Sequence, residues 1–162
     1  MIFVTVGTNH ARFDRLIAPF MEWKRDEELV VQHGPSSLRP PGATTLRPFF
    51  SYDENVAAIA AARAVITHAG VGSVLLSLAY GKTPIVVARR KDYREAVDDH
   101  QEAFAERLSR RGLVRLIRLE DGNGDELLDA IDAPFSPVSD EPEVGLDLAA
   151  DLQRYLQARL VT

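Results

Sequence analysis

Short apolar runs alternate along the chain with longer stretches in which apolar residues recur every three or four positions. The short runs are rich in Val and Ile and mostly apolar throughout, which is typical of strands buried on both faces. Glycine and proline residues follow most of these runs and indicate turns. The pattern predicts strands at residues 2–6, 29–33, 44–47, 64–67, 85–88 and 113–117.

The stretches between these runs have the periodicity of amphipathic helices. Ser51 is followed three residues later by Glu54, which is the pattern of a capping box at a helix start. Gly81 and Gly112 stand where two of the helical stretches end. The pattern predicts helices at residues 11–24, 51–62, 71–80, 100–111 and 125–131, and a terminal amphipathic helix at 148–160.

Alternating strands and helices predict an α/β fold with a doubly wound, mostly parallel sheet that has helices on both faces. We expect residues 1–132 to form one Rossmann-like domain. Residues 133–162 are expected to be a proline- and acid-rich connection and a helix that packs on the same domain, with docking on a partner as the alternative. Ligands of such folds bind at the carboxyl ends of the strands, so the loops at that edge hold the candidate chemistry.

Composition and charge narrow the classes of protein. The chain has 162 residues, 46% of them hydrophobic, which suits one domain with its own core. A formal net charge of −5 argues against a nucleic-acid-binding protein with a broad basic surface. The sequence has no cysteine and no His/Glu cluster with the spacing of a metal site. No apolar run is long enough to span a membrane, so we expect a cytoplasmic protein.

The loop after the fourth strand is the main candidate for anion binding. Gly70 and Gly72 leave the backbone open, and Ser73 adds a hydroxyl near a helix N-terminus, where N–H groups and the helix dipole favour negative charge. The alternative is a tight turn in which Ser73 is the helix N-cap. His68 ends the strand before this loop and either points into the cleft or caps the turn.

Two other loops are expected at the same edge of the sheet. Gly7, Thr8, Asn9 and His10 follow the first strand, where Asn9 can donate to a phosphate and His10 is the alternative N-cap of the next helix. After the fifth strand come a basic run at residues 89–91 and a polar group. The basic run either neutralises a diphosphate or is a solvated loop. The polar group either binds sugar or ribose hydroxyls or caps the following helix; it consists of Asp98, Asp99, His100 and Gln101.

These motifs, taken together, resemble the C-terminal domain of glycosyltransferase family 28. The similarity is strongest to the small stand-alone members of that family, the donor-binding subunits of split glycosyltransferases in exopolysaccharide synthesis. It covers residues 1 to about 131. The residues that carry it are Val4-Thr5-Val6-Gly7-Thr8, His68-Ala69-Gly70-Val71-Gly72-Ser73, Gly81-Lys82-Thr83-Pro84 and Val97-Asp98-Asp99-His100-Gln101.

The resemblance implies the C-terminal half of a GT-B enzyme, which binds a nucleotide-sugar (usually a UDP-sugar) as substrate and needs neither a metal nor another cofactor. It implies a first phosphate loop at Gly7, Thr8 and Asn9, and a uracil contact by the backbone at Phe49-Phe50. It also implies a diphosphate loop at Gly70, Gly72 and Ser73, and ribose and sugar contacts by Asp99 and Gln101.

Two positions depart from the pattern of the relatives. Many of them have Glu three residues after the loop serine, where this chain has Leu76, and some have His where this chain has Ala96. The missing Glu bears on the identity of the donor, because in those relatives it holds the ribose hydroxyls.

The resemblance leads to an inverting hexosyl- or N-acetylhexosaminyltransferase subunit as the expected function. A membrane-associated partner would supply the lipid-linked or glycan acceptor and hold the subunit at the inner face of the membrane, and the isolated subunit could form a homodimer. His10 is the local candidate for the general base. The alternatives are a non-catalytic subunit that stabilises a membrane glycosyltransferase, and a nucleotide-sugar epimerase, for which 162 residues are too few to hold the second domain.

Overall fold

A computed structural model describes residues 1–120 and 124–134 of the chain. The strands are β1 (Ile2–Thr5), β2 (Leu29–Gln32), β3 (Thr45–Arg47), β4 (Ala64–His68), β5 (Ile85–Val87) and β6 (Arg115–Leu116). The helices are α1 (Asp14–Ile17), α2 (Tyr52–Ala61), α3 (Val71–Ala79), α4 (His100–Arg110) and α5 (Gly124–Asp132), with a 3₁₀ helix at Ala18–Glu22 directly after α1. The predicted terminal helix at 148–160 lies outside the described residues.

The strands form one six-stranded sheet in the order β3-β2-β1-β4-β5-β6. Every pairing in the sheet is parallel. The chain moves outward from β1 in one direction and then crosses back to place β4 on the other side of β1. The prediction of a doubly wound parallel sheet is therefore confirmed, with the switch in direction between β1 and β4, the position at which such folds bind ligands.

Both faces of the sheet are buried, as the uninterrupted apolar runs predict. Successive residues of a strand point to opposite faces. Ile2 and Val4 of β1 pack into a cluster with Phe13, Leu16 and Phe20. Phe3, between Ile2 and Val4, packs on the other face in a cluster that includes residues 58–59 of α2. The central strands β1, β2 and β4 are thus apolar up to their carboxyl ends because neither face of the sheet is solvated there.

The prediction of one helix over residues 11–24 is wrong. The α-helix covers only Asp14–Ile17, and the chain continues as a 3₁₀ helix. Pro19 explains the difference, since it has no N–H to donate and its ring clashes with the carbonyl group four residues earlier. The apolar spacing is still used, because Leu16, Ile17 and Phe20 are fully buried.

The capping box before α2 is confirmed. The backbone N–H of Glu54 donates to Ser51 Oγ at 3.2 Å, and the N–H of Ser51 donates to Glu54 Oε2 at 2.8 Å. Gly81 and Gly112 have φ values of +70° and +66°, the left-handed conformation that ends a helix. The sixth strand is shorter than predicted, with only Arg115–Leu116 in the sheet.

Candidate functional site

A cleft lies at the carboxyl edge of the sheet, where β1 and β4 are neighbours. Thr5 of β1 is paired in register with Gln32 of β2 and with Thr67 of β4, so a row of polar residues crosses the end of the apolar strands. A cavity of about 480 Å³ opens there. Its lining comes from the ends of β1, β2 and β4 and from α2 and α3, and consists of Thr5, Gly7, Thr8, Gln32, Tyr52, Asn55, Ile59, His68, Gly70, Gly72, Ser73, Leu75 and Leu76.

The loop after β1 is fixed by a closed set of hydrogen bonds around Gly7. Thr5 Oγ1 accepts from the N–H of Gly7 at 3.1 Å and donates to Gln32 Oε1 at 2.9 Å. Gln32 Nε2 donates to the carbonyl of Gly7 at 3.4 Å. Gly7 has a φ of +74°, which a residue with a side chain rarely adopts. The peptide groups at the end of β1 are therefore held in place before any ligand binds.

The imidazole of His68 fills the space between Gly7 and Gly70. A Cβ on Gly7 would lie 2.3 Å from His68 Cε1, and a Cβ on Gly70 would lie 2.1 Å from His68 Nε2. Burial, followed by the positive charge of Arg89, lowers the pKa of His68 to about 4, so the ring is neutral at physiological pH. His68 thus joins the two loops of the cleft, and Gly70 is required by this ring whether or not a phosphate approaches.

Helix α3 directs its N-terminus at the cleft. Its N-cap is Gly70, so the alternative that Ser73 caps the helix is wrong. The first N–H groups of a helix have no partner within the helix, which leaves those of Val71, Gly72 and Ser73 available to an anion. Apart from its two chain neighbours and the backbone of its own helix, no atom lies within 4 Å of the place where a Cβ of Gly72 would stand. The space beside Gly72 is therefore open, as a bound phosphate would require.

The side chain of Arg89 stabilises the loop after β1, which lines the cleft. Its side chain is fully buried, so the interpretation of this residue as part of a solvated basic loop is wrong. Arg89 Nη2 donates to the carbonyl of Val6 at 2.9 Å, and Nη1 donates to that of Ala11 at 3.0 Å and, at longer distances, to those of Arg12 and Glu95. Burial lowers the pKa of Arg89 to about 10, which still leaves it charged at pH 7. A cation is thus held directly beneath the loop after β1.

A buried ion pair fixes the loop after β5. Arg15 Nε and Nη2 donate to the two carboxylate oxygens of Glu95 at 3.0 and 2.7 Å, and both side chains are almost fully buried. The guanidinium of Arg15 also donates to the carbonyl groups of Ala88 and Leu119. Glu95 Oε2 accepts from the N–H of Arg90 as well. The loop from β5 to α4 is therefore anchored on α1.

The remaining candidate residues are not among those that line the cavity. Asn9 Oδ1 accepts from the N–H of Ala11 in a local turn at 2.8 Å. His10 is exposed and precedes α1 by several residues, so it is not the N-cap of that helix. The ring of Phe50 is stacked on Phe3 with centroids 5.8 Å apart, and the carbonyl of Phe50 accepts from Asn55 Nδ2 at 3.2 Å.

Asp99 and Gln101 hold the start of the loop after β5. Asp99 Oδ1 accepts from the N–H of Lys91 at 3.0 Å, and Gln101 Oε1 accepts from the N–H of Arg89 at 3.2 Å. Asp98 Oδ1 accepts from the N–H of His100, the first residue of α4. Asp99 occupies the N-cap position without a side-chain cap.

Several lining residues were not identified from the sequence. Thr5 and Gln32 were the ones with a detectable pattern, because each is a polar residue at the end of an apolar strand. No pattern in the sequence indicates that α2 lines the cavity through Tyr52, Asn55 and Ile59, because this face of α2 reaches the cleft only through tertiary packing. Across residues 1–120 and 124–134, no helix has the length and apolarity needed to cross a membrane.

Comparison with known sequences gives a family for the chain. A family model described as the glycosyltransferase family 28 C-terminal domain matches residues 1–142. Over 63 residues the sequence is 43% identical to a curated protein of Yarrowia lipolytica, the UDP-N-acetylglucosamine transferase subunit ALG13. That match covers 38% of this chain and 30% of the relative.

Comparison with solved structures supports the same fold. The calicheamicin glycosyltransferase CalG4 has a TM-score of 0.65 at 18% identity, with 96% of this chain and 38% of that chain covered. The glycotransferase of kitacinnamycin has a TM-score of 0.60 at 21% identity, with 97% and 39% covered. SnogD from Streptomyces nogalater has a TM-score of 0.58 at 19% identity, with 96% and 39% covered. The chain thus has the same fold as a region that makes up about two fifths of the length of each of these glycosyltransferases.

Proposed function

This chain belongs to the glycosyltransferase family 28 C-terminal domain family, and we propose that it binds the nucleotide-sugar donor of a glycosyltransferase in the cleft between β1 and β4. The observation that carries the proposal is the convergence of Gly7 and the N-terminus of α3 at the switch point of the sheet. The start of α3 presents backbone N–H groups to the cavity that Gly7 also lines, and a diphosphate is a ligand suited to such a helix N-terminus.

The residues of the cleft stabilise negative charge on the donor. The N–H groups at the start of α3 and the hydroxyl of Ser73 contact the diphosphate, and Thr8 contacts it from the loop after β1. The buried cation of Arg89 adds a favourable potential from below. When the bond from the sugar to the diphosphate breaks, charge develops on the leaving oxygen, and these fixed donors stabilise it without a metal ion.

The reaction is transfer of a hexosyl or N-acetylhexosaminyl group with inversion. An acceptor hydroxyl attacks the anomeric carbon and forms the new C–O bond, while the bond to the diphosphate breaks and its electron pair leaves with the nucleoside diphosphate. The hydroxyl proton passes to a general base. His10 is exposed at the loop after β1 and is the candidate base within this chain; a partner protein is the alternative source.

A second protein completes the enzyme in this proposal. The name of the curated protein of Yarrowia lipolytica is that of a transferase subunit, which supports a partner for this chain. A membrane-associated partner supplies the lipid-linked or glycan acceptor and places this chain at the cytoplasmic face of the membrane. The isolated chain forms a homodimer or remains a monomer.

Titration calorimetry with UDP and UDP-sugars tests the donor site. Binding with a dissociation constant at or below the millimolar range supports the proposal, and no binding of any nucleotide at millimolar concentration overturns it.

The second candidate is a non-catalytic subunit that stabilises a membrane glycosyltransferase. It is favoured by the absence of Asp and Glu from the described lining of the cavity. Co-expression of the chain with its partner separates the two. The first candidate requires transfer to fall when the loop at 70–73 is altered, and the second predicts unchanged transfer.

A further inference from the structure

A second cavity, of about 610 Å³, lies on the face of the sheet opposite to α2. Its walls come from α1, the 3₁₀ helix that follows it, and α5. The apolar part of its lining includes Met21, Leu38, Leu119 and Leu128, and the leucines belong to or pack against the largest buried cluster of the described chain. No residue lines both this cavity and the cleft between β1 and β4. A ligand of this second cavity would therefore bind apart from a nucleotide-sugar.

Carboxylates surround the apolar floor of this second cavity, which we call the acidic groove. Arg15 is the one basic residue in its described lining, and the buried carboxylate of Glu95 neutralises that charge. A concave surface with carboxylates of one sign favours a cationic ligand. The acidic residues of the lining are Asp14, Glu22, Glu120 and Asp125.

Two of these carboxylates are available to a ligand. Asp14 accepts from the backbone N–H groups of residues 37 and 38, so it holds a neighbouring loop. Glu120 pairs at 3.2 Å with an arginine of the loop after β5. Glu22 and Asp125 are exposed and form no ion pair with another residue that the structure describes. The groove therefore has free negative charge beside its half-buried apolar side chains.

The arrangement of these groups indicates the class of ligand. Among residues 1–120 and 124–134, no group of three or more acidic or histidine side chains could hold a metal ion. The carboxylates are thus spread around the groove and not gathered at one point. Such a rim beside an apolar floor matches an amphipathic helix that has Lys or Arg next to its apolar face.

Two other occupants match the groove less well. An anionic membrane surface attracts basic segments and is repelled by carboxylates. Residues 135–162 of this chain include five acidic and two basic residues, so their charge does not complement that of the groove. A separate protein with a basic docking segment is the better match.

We propose that the acidic groove binds a basic amphipathic helix of a partner protein. The apolar face of that helix covers Met21 and Leu128, and its Lys or Arg side chains pair with Glu22 and Asp125. Attraction between exposed charges is screened by salt, so the affinity falls as the ionic strength rises. The inference does not rest on the donor site, because the two cavities share no lining residue.

The test is titration of the full chain with a fluorescently labelled helical peptide of about 18 residues, made of leucine on one face and lysine on the other. A second peptide has glutamate in place of every lysine and keeps the same apolar face. Fluorescence anisotropy measures both affinities. The lysine peptide is expected to bind at least about tenfold more tightly than the glutamate peptide, and less tightly as salt is added.

Asp125→Lys and Asp53→Lys are a matched pair of variants. Each acid is exposed and is the second residue of its helix, α5 or α2, so both changes have the same effect on net charge and on the helix dipole. Asp125→Lys is expected to weaken binding of the lysine peptide at least about fivefold, and Asp53→Lys less than about twofold. Met21→Gln, which keeps the length of the side chain and removes its apolar surface, should also weaken binding. Thermal unfolding checks that each variant is folded.

The outcomes that contradict the proposal are distinct. Equal losses at Asp125 and Asp53 would show attraction to the net charge of the chain and overturn the groove as the site. Equal binding of the two peptides, or no binding of the lysine peptide at about millimolar concentration, overturns the proposal as well. Self-association in sedimentation that Asp125→Lys abolishes would assign the groove to a second copy of the chain. UDP titration reads the donor site separately, and Asp125→Lys should leave the affinity for UDP unchanged.

Discussion

The imidazole of His68 occupies the space that a side chain on Gly70 would need, with Nε2 only 2.1 Å from the position of that Cβ. The same ring lies against Gly7, so one neutral histidine joins the loop after β1 to the loop after β4. The glycines of the cleft thus have different reasons to be glycine. Gly7 and Gly70 make room for His68, and Gly72 borders open space.

Gly70→Ala should destabilise the fold. The backbone of Gly70 is extended, with φ −81° and ψ 131°, so the added methyl group is opposed by the His68 ring and not by backbone strain. We expect a loss of about 1–3 kcal/mol in the free energy of unfolding, as for other overpacked sites. Chemical denaturation measures it.

A double-mutant cycle with His68→Ala isolates the contact between His68 and Gly70. Removing the ring creates the space that the added methyl group needs, so the double variant should lose less stability than the sum of the single changes. Gly72→Ala is the matched control, because its Cβ meets no atom within 4 Å, and it should cost nothing. Additive losses would show that the ring and the glycine are independent.

Gly72→Asp should strongly weaken nucleotide binding without unfolding the chain. The side chain enters open space at the start of α3, where a negative charge is favoured by the helix dipole by about 0.3–1 kcal/mol. The same charge repels a diphosphate. Compared with the isosteric Gly72→Asn, the affinity for UDP should fall at least about tenfold, as measured by calorimetry. Equal affinities of the two variants would place the diphosphate elsewhere.

Arg89→Met should destabilise the chain strongly. It leaves the carbonyl groups of Val6 and Ala11 without their donor inside the protein. We expect a loss of at least about 2 kcal/mol, since each buried unpaired group costs about 1–3 kcal/mol. Arg118→Met, at an exposed ion pair with Glu106, should stay within about 0.5 kcal/mol of the wild type. Comparable losses at both positions would contradict the role of Arg89.

His68 should make stability depend on pH between about 6.5 and about 4. The pKa of His68 is lowered in the folded chain to about 4, from the usual 6.5. As the pH falls through this window, the unfolded chain binds a proton that the folded chain does not. The free energy of unfolding therefore decreases by up to about 1.4 kcal/mol per pH unit.

Denaturation of His68→Asn over the same pH range measures this contribution. The variant lacks the titrating ring, so the stability difference between it and the wild type should shrink as the pH falls. The pKa of Glu27 is lowered by Arg63, so protonation of this carboxylate at acid pH reduces the free energy of unfolding. This reduction is the same in both proteins and cancels when they are compared. A difference that is constant with pH would show that the pKa of His68 is not lowered in the folded chain.

The order of the elements could be read from the sequence because each depends on local chemistry. The strands follow from uninterrupted apolar runs, and the start of α2 follows from the Ser51–Glu54 capping box. The predicted length of the first helix was too great because Leu16 and Phe20 keep helical spacing on both sides of Pro19. The spacing of apolar residues contains no information about the N–H group that proline lacks. The candidate loops at Gly7 and Gly70 were found by the same local reasoning and lie on one cavity.

The sequence by itself determined the parallel α/β architecture and the loops at its carboxyl edge, because burial on both faces and turn chemistry are properties of short segments. Only the tertiary structure decided how these loops are held. His68 and Gly70 are two residues apart, yet Gly7 and Arg89 reach the same site from distant parts of the chain. Whether a charged or aromatic side chain is buried depends on which carbonyl groups and glycines surround it in space, and no local pattern contains that information.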